Sequence, residues 1–187
     1  MGRILDSLES RFSYPMFVKP AGTGSSVGVS KASDREKLAA ALMAAAKFDD
    51  KILVEEFIHG REIEVAVLGN EDPVASVCGE IDSGADFYDY DAKYLTDTST
   101  AYIPARIPAD VQEQVRKLAV KVYQAIGCRG LSRVDFFVTY AENRVVFNEI
   151  NTLPGFTSIS MYPKLFAASG MPYSQLIDML LTLAQEA

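Results

Sequence analysis

Apolar residues recur at helical spacing at Ile4, Leu5, Leu8 and Phe12, so Met1 to Phe12 is expected to form a helix. A strand from Met16 to Lys19 and a glycine-serine loop over Gly22 to Gly28 lead into a short strand through Val29, reading together as a hairpin. Ser33-Asp34-Arg35-Glu36 has the capping-box pattern and opens an alanine-rich helix running to about Phe48. Lys51 to Phe57 reads as a strand and Gly60 as a turn; Arg61 to Gly69 and Pro73 to Glu80 read as strands joined by the turn-forming Asn70-Glu71-Asp72. Periodicity then fails from Ile81 to Ala105, a stretch longer than ordinary connections and of the kind that often carries function. Pro108 begins an amphipathic helix that ends before Gly127. Arg133 to Tyr140 and Arg144 to Ile150 follow as strands meeting at Ala141-Glu142-Asn143, then a polar loop over Asn151 to Ser160. Helices over Tyr162 to Ser169, stopped by Gly170 and Pro172, and over Tyr173 to Gln185 complete the chain, which shows no internal repeat.

The hairpin gives the sharpest chemical inference. A three-residue connection centred on Glu142 pairs Asp135 with Glu149 and Arg133 with Asn151. Alternation puts these four on one face and Val134, Phe136, Val138, Val146 and Ile150 on the other. Carboxylates directly opposite in a sheet repel unless a cation or shared proton lies between them. An all-oxygen set of Asp, Glu and Asn suits Mg²⁺. The plain alternative is a solvated face with an Arg–carboxylate pair, and a two-residue turn would shift the register and remove the pairing.

Composition narrows the classes. The 187 residues can bury a real core as one large domain or two small ones, and 49% hydrophobic with 23% charged residues is ordinary globular usage. A net charge of −7 argues against a nucleic-acid partner, so an anionic ligand must be held by a local donor cluster. Cys78 and Cys128 form no disulfide framework or zinc spacing, and no long apolar run suggests a membrane partner; both point to the cytoplasm. His59 is the lone histidine, which weighs against histidine-based catalysis.

Three further segments could carry chemistry. Lys19-Pro20-Ala21-Gly22-Thr23-Gly24-Ser25-Ser26-Val27-Gly28 combines glycines that admit phosphate oxygens to backbone N–H groups, hydroxyl donors and a preceding point charge, but lacks P-loop or dinucleotide spacing; alone, the segment reads first as a flexible hairpin loop. Ile52-Leu53-Val54-Glu55-Glu56-Phe57-Ile58, followed by Glu62, could meet adenine through its backbone and ribose through a carboxylate, or be only a strand and a charged turn. Phe87-Tyr88-Asp89-Tyr90-Asp91-Ala92-Lys93-Tyr94 sets one lysine among aromatics and acids, as in a loop closing over phosphate or one anchored on a surface.

In this order the motifs resemble the ATP-grasp superfamily, and within it the D-alanine:D-alanine ligases. Phe17-Val18-Lys19-Pro20, the glycine-serine loop, Val54-Glu55-Glu56-Phe57 with Gly60-Arg61-Glu62, Tyr88 to Tyr94, Arg133-Val134-Asp135 and Asn148 to Thr157 carry the resemblance over nearly the whole chain. It implies an α+β ATP-grasp fold: two subdomains with mainly antiparallel sheets enclosing a nucleotide site, residues 1–72 as the remainder of the central subdomain and 73–187 as the carboxy-terminal one. It implies that Lys19, Ser25 and Ser26 touch the phosphates of ATP, that Glu55, Glu56, Ile58 and Glu62 line adenine and ribose, and that Lys93 reaches the γ-phosphate. Asp135, Glu149 and Asn151 would bind two Mg²⁺ ions, with Mn²⁺ as a substitute. Arg133 and the Gly155 backbone would face the tetrahedral centre, Ser26 joining them in catalysis, with Tyr88, Tyr94, Ser160 and Met161 on the substrate side. The implied reaction activates D-alanine as an acyl phosphate and joins it to a second D-alanine for peptidoglycan precursors. The implied setting is a cytoplasmic homodimer of a longer parent protein, whose amino-terminal domain would precede Met1 and without which this chain is expected to be inactive. D-alanine:D-serine ligation, another ATP-grasp carboxylate–amine ligase, and a non-catalytic nucleotide-binding module are the alternatives.

Overall fold

The computed structural model describes residues 1–24, 27–82 and 100–186. These divide into two compact units, one from Met1 to Ile58 and one from His59 to Asp82 with Thr100 onward. The division falls before His59 and not after residue 72, because the strand that follows pairs along its whole length within the second unit.

In the first unit, α1 (Gly2–Glu9) and α2 (Arg35–Ala45) pack on an antiparallel sheet of β1 (Met16–Pro20), β2 (Ser30–Ala32) and β3 (Ile52–Glu56), ordered β2-β1-β3. Met16 and Val18 alternate inward and meet Leu5, Leu38, Ala41, Leu42 and Ala45 in one apolar cluster. Phe17 and Lys19 therefore point to the opposite face. The second hairpin strand begins at Ser30, one residue beyond the expected Val29. Asp34, not Ser33, caps α2: its side chain accepts from the Lys37 N–H at 2.9 Å, and that bond holds its carboxyl below the usual range. Arg35 ties the helices together, bonding to Asp6 at 2.7 Å and to Glu9.

The second unit is built on β4 (Gly60–Leu68), β5 (Val74–Ala75), β6 (Gly79–Asp82), β7 (Thr100–Tyr102), α3 (Ala109–Ala125), β8 (Leu131–Thr139), β9 (Val145–Asn151), α4 (Met161–Ala168) and α5 (Tyr173–Gln185). Its antiparallel sheet runs β7-β6-β4-β8-β9, with β5 also paired to β4. The single strand expected over Pro73 to Glu80 is thus two short ones. On one face Ile63, Val65, Val67, Val134, Phe136 and Val138 pack against the Val111, Val115, Ala119 and Tyr123 stripe of α3. On the other, Ala66 and Leu68 meet Met161, Tyr162, Leu165 and Phe166 of α4 and Leu176 of α5. Buried tyrosines lock both layers: Tyr123 donates to Gly69 O at 2.7 Å and Tyr162 to Val67 O at 3.0 Å. Burial pushes the Tyr123 phenol up to about 12.

Gly60 starts β4, paired to Thr139, instead of making a turn, and it must be glycine because a Cβ there would lie 2.5 Å from the backbone oxygen of Val138. Gly79 admits α4: its Cβ would stand 2.5 Å from Met161 Cε and 2.7 Å from Leu165 Cδ2. On β6, one strand in from the edge, Glu80 is buried, yet its carboxyl accepts the Arg106 backbone N–H at 2.9 Å, Arg106 Nε at 3.1 Å and Nη2 at 2.7 Å. Arg61 Nε approaches it at 3.3 Å. Burial favours the protonated acid, but the Arg106 bonds and both arginine charges outweigh it and hold the Glu80 pKa below its ordinary value.

The two glycines should respond differently to substitution. Gly60→Ala pushes against backbone and should cost about 2–3 kcal/mol in chemical denaturation, whereas Gly79→Ala meets movable side-chain ends and should cost under about 1.5 kcal/mol. The depressed Glu80 pKa contributes stability that is complete above the ordinary carboxylate pKa and lost as pH falls through the lower folded value. Wild type should accordingly exceed Glu80→Gln in stability at neutral pH, the gap closing under acid, as thermal melts across pH will read.

Candidate functional site

The β8–β9 hairpin places the polar residues. At the loop-distal end Arg133 pairs with Asn151, Val134 with Ile150 and Asp135 with Glu149, as the sequence leads one to expect. Nearer the turn the frame differs by one residue: Phe136 pairs with Phe147, Phe137 with Val146 and Val138 with Val145. The turn holds one residue more than expected, with Thr139 N donating to Arg144 O at 3.0 Å and Asn143 in the left-handed region at φ 53°. A bulge at Asn148 absorbs the difference. Val146 consequently shares the face of Phe137, against expectation, and Val145 packs toward the α3 core in its place.

On the polar face Arg133 grips Asp135 with two parallel bonds, Nε to Oδ1 at 2.7 Å and Nη2 to Oδ2 at 2.7 Å. Asn151 Nδ2 donates to Asp135 Oδ2 at 3.0 Å and to Glu149 Oε1 at 3.4 Å. Asp135, Glu149 and Asn151 are therefore brought together as expected. Burial works against the Arg133 charge, but the Asp135 hydrogen bonds and the charges of Glu64, Asp135 and Glu149 prevail and raise its pKa. Glu64 was missed by sequence reasoning. It pairs with Asp135 from β4, and its Oε2 lies 3.3 Å from Arg133 Nε. The signal was its alternation with Glu62 in an otherwise apolar strand, but only the β4–β8 register shows which face it joins. Among the described residues no three His, Cys, Asp or Glu side chains converge as a metal-holding group, so the expected donor set of Asp135, Glu149 and Asn151 is a pair of acids with an amide, Glu64 standing beside it.

The loop after β9 closes on Ser160. Ser160 Oγ accepts from Thr157 N at 2.9 Å and lies 2.9 Å from Thr157 Oγ1, while Ser160 N donates to Thr157 O at 3.1 Å. A Cβ on Gly155 would approach Ser160 Oγ to 2.9 Å, so Gly155 brings bare backbone beside that hydroxyl. Met161 is buried against Gly79, which leaves its backbone, at the first turn of α4, as the part able to meet a ligand.

In the first unit Lys19 Nζ lies 2.8 Å from Glu55 Oε1 on the sheet face opposite Met16 and Val18. Phe17, stacked on Phe57 at 6.1 Å, and Lys31, 4.6 Å above the Phe57 ring, extend that face and were not foreseen. Glu56 ends β3 exposed, and Ile58 is half-buried at the end of this unit. Glu62 sits on β4 on the same side as Glu64. Ser25, Ser26, Tyr88, Lys93 and Tyr94 lie outside the described residues.

Known proteins place this geometry in a family. A family model described as the D-ala D-ala ligase C-terminus matches residues 2–182. A D-alanine–D-alanine ligase from Acetivibrio thermocellus is 58% identical over 97% of this chain and 48% of its own length. One from Pelodictyon phaeoclathratiforme is 55% identical over 98% and 51%. Among solved structures, the VanG D-Ala:D-Ser ligase from Enterococcus faecalis superposes with a TM-score of 0.88 at 40% identity, over 97% of this chain and 53% of that one. The D-alanine–D-alanine ligase of Coxiella burnetii gives 0.81 at 38%, over 99% and 47%. The chain spans about half the length of the curated relatives it matches. With this match over nearly its whole length and the ATP-grasp fold of its structural neighbours, the chain belongs to the D-alanine–D-alanine ligase family.

Proposed function

We propose that this chain contributes the cation-binding face and part of the nucleotide and substrate sites of an enzyme that joins two D-alanines at the expense of ATP. The observation that carries the reading is the face on which Asp135, Glu149 and Asn151 meet beside Arg133. The donor set fits a hard divalent cation: two carboxylates bring surplus negative charge, and a half-turn of the Asn151 amide exchanges Nδ2 for Oδ1. Asp135, Glu149 and Asn151 would hold a pair of Mg²⁺ or Mn²⁺ ions, which when bound supply charge neutralisation for phosphate oxygens.

The remaining steps fall to side chains that bind and orient. A carboxylate is a poor electrophile, so the carboxylate of the first D-alanine attacks the γ-phosphate of ATP, ADP leaves, and the acid becomes an acyl phosphate. The neutral amine of the second D-alanine then attacks that carbonyl, and phosphate leaves with the proton that the nitrogen gives up as the amide forms. Arg133 offers a fixed positive charge to the tetrahedral centre, and the Gly155 backbone, free of a side chain, can approach it. Lys19, Ser25, Ser26 and Lys93 hold the phosphates; Glu55, Glu56, Ile58 and Glu62 hold the nucleoside; Tyr88, Tyr94, Ser160 and the Met161 backbone hold D-alanine. No covalent protein nucleophile is needed, in keeping with the position of His59 beside Tyr140, at the hairpin's turn end. We assign the activity to the longer protein, with peptidoglycan precursor synthesis, a cytoplasmic setting and a homodimer as its context; no described helix is long and apolar enough to cross a membrane. D-serine as second substrate is the nearest rival, favoured by the VanG match, while relatives at 55–58% identity favour D-alanine.

Calorimetry should register weak Mg-ATP binding to the 187-residue chain, abolished by Asp135→Ala, with no dipeptide formed by this chain alone. In the longer protein Arg133→Ala should lower kcat by about 10²–10³-fold, the range for removing one pre-organised donor. Competition between D-alanine and D-serine should yield chiefly D-alanyl-D-alanine; preferential incorporation of D-serine would reassign the second substrate.

A further inference from the structure

Glu64, Asp135 and Glu149 stand directly across from one another on β4, β8 and β9. Three acids in register repel, and Arg133 is the cation that meets them. Its guanidinium lies between two of them, 2.7 Å from Asp135 and 3.3 Å from Glu64 at Nε. Both Asp135 oxygens are occupied, Oδ1 by Arg133 and Oδ2 by Arg133 and Asn151. A divalent ion ligated by an Asp135 oxygen competes with these donors for it and draws charge away from the guanidinium bonds. Only 22% of the Arg133 side chain is exposed, and a guanidinium stripped of its partner there would be strongly disfavoured.

We infer that Glu64 is a positioning residue that receives the Arg133 guanidinium when Asp135 turns to a cation. The inference rests on the reading of Asp135, Glu149 and Asn151 as a divalent-cation site. Closing the 3.3 Å separation to a charge-assisted hydrogen bond needs a movement of only about 0.5 Å. Because the Glu64 side chain is itself just 15% exposed, it offers a seat shielded from water. The exchange keeps Arg133 on the same face, charged and oriented, while Asp135 changes partner. Glu64 thereby lowers the penalty of cation entry without touching substrate.

The test is Mg²⁺ titration of the 187-residue chain, followed by NMR at the Arg133 Nε–H and the Asn151 side-chain amide. In wild type both resonances should move with one midpoint. In Glu64→Gln the midpoint should rise about tenfold, and Glu64→Asp should recover most of the loss; a merely structural role would change the melting temperature and leave the midpoint alone. In an Arg133→Met background, Glu64→Gln should no longer matter. An equal effect there would reduce Glu64 to a nearby charge and overturn the exchange, as would an unchanged midpoint in Glu64→Gln. Movement of the Asn151 amide with a motionless Arg133 would refute the exchange and leave the cation site standing, whereas no response at either group would remove the cation site itself.

Discussion

Asp135 and Glu149 face one another across adjacent strands, and the rest of the site is arranged around that repulsion. The fold holds the pair in place because Val134, Phe136 and Val138, on the other side of β8, are buried against α3. Turning β8 over would cost that core, so its alternate residues are committed to the polar face. The bulge at Asn148 matters equally, since without it the frame set at the turn would continue and separate Asp135 from Glu149. Arg133 answers the charge with a two-pronged hydrogen bond and Asn151 bridges the acids.

The electrostatics fit a reaction that works by holding and neutralising anions. The chain carries a net charge of −7, so attraction for a nucleotide must be local. Lys19 and Lys31 lie beside Phe17 on the face of the first unit's sheet opposite Met16 and Val18, and Arg133 lies on the acidic face of the second. Glu80, by contrast, is paired to Ile63, so it projects to the side opposite Asp135, where Arg106 and Arg61 engage it. Two partly buried acid–arginine clusters on opposite faces of one sheet thus differ in kind: the Glu80 cluster ties β6 to the segment after β7, and the Asp135 cluster keeps acids in excess.

Much of this could be read from the order of residues. Helices with a strong apolar stripe, such as Ala109–Ala125, emerged with their ends almost in place. Asp135 opposite Glu149 followed from alternation and a short turn, although two departures cancelled: the turn held an extra residue and the bulge returned the frame. Val146 lay between those departures and was assigned to the wrong face for that reason. What local pattern could not supply was long-range pairing. The β4–β8 register brings Glu64 to Asp135 and carries β4 into the second unit, and Arg106 reaches Glu80 from a distant turn. Gly60 was read as a turn because its role, clearance for the Val138 carbonyl, depends on a strand far along the chain.

The central claim is that the paired acids of β8 and β9 hold the divalent ion of the nucleotide. Anomalous diffraction from crystals grown with Mn²⁺ and a non-hydrolysable ATP analogue addresses it most directly. A manganese peak within coordination distance of both Asp135 and Glu149 is the expected result. Manganese bound elsewhere, with the Arg133–Asp135 bonds intact and no peak between the two carboxylates, would contradict it.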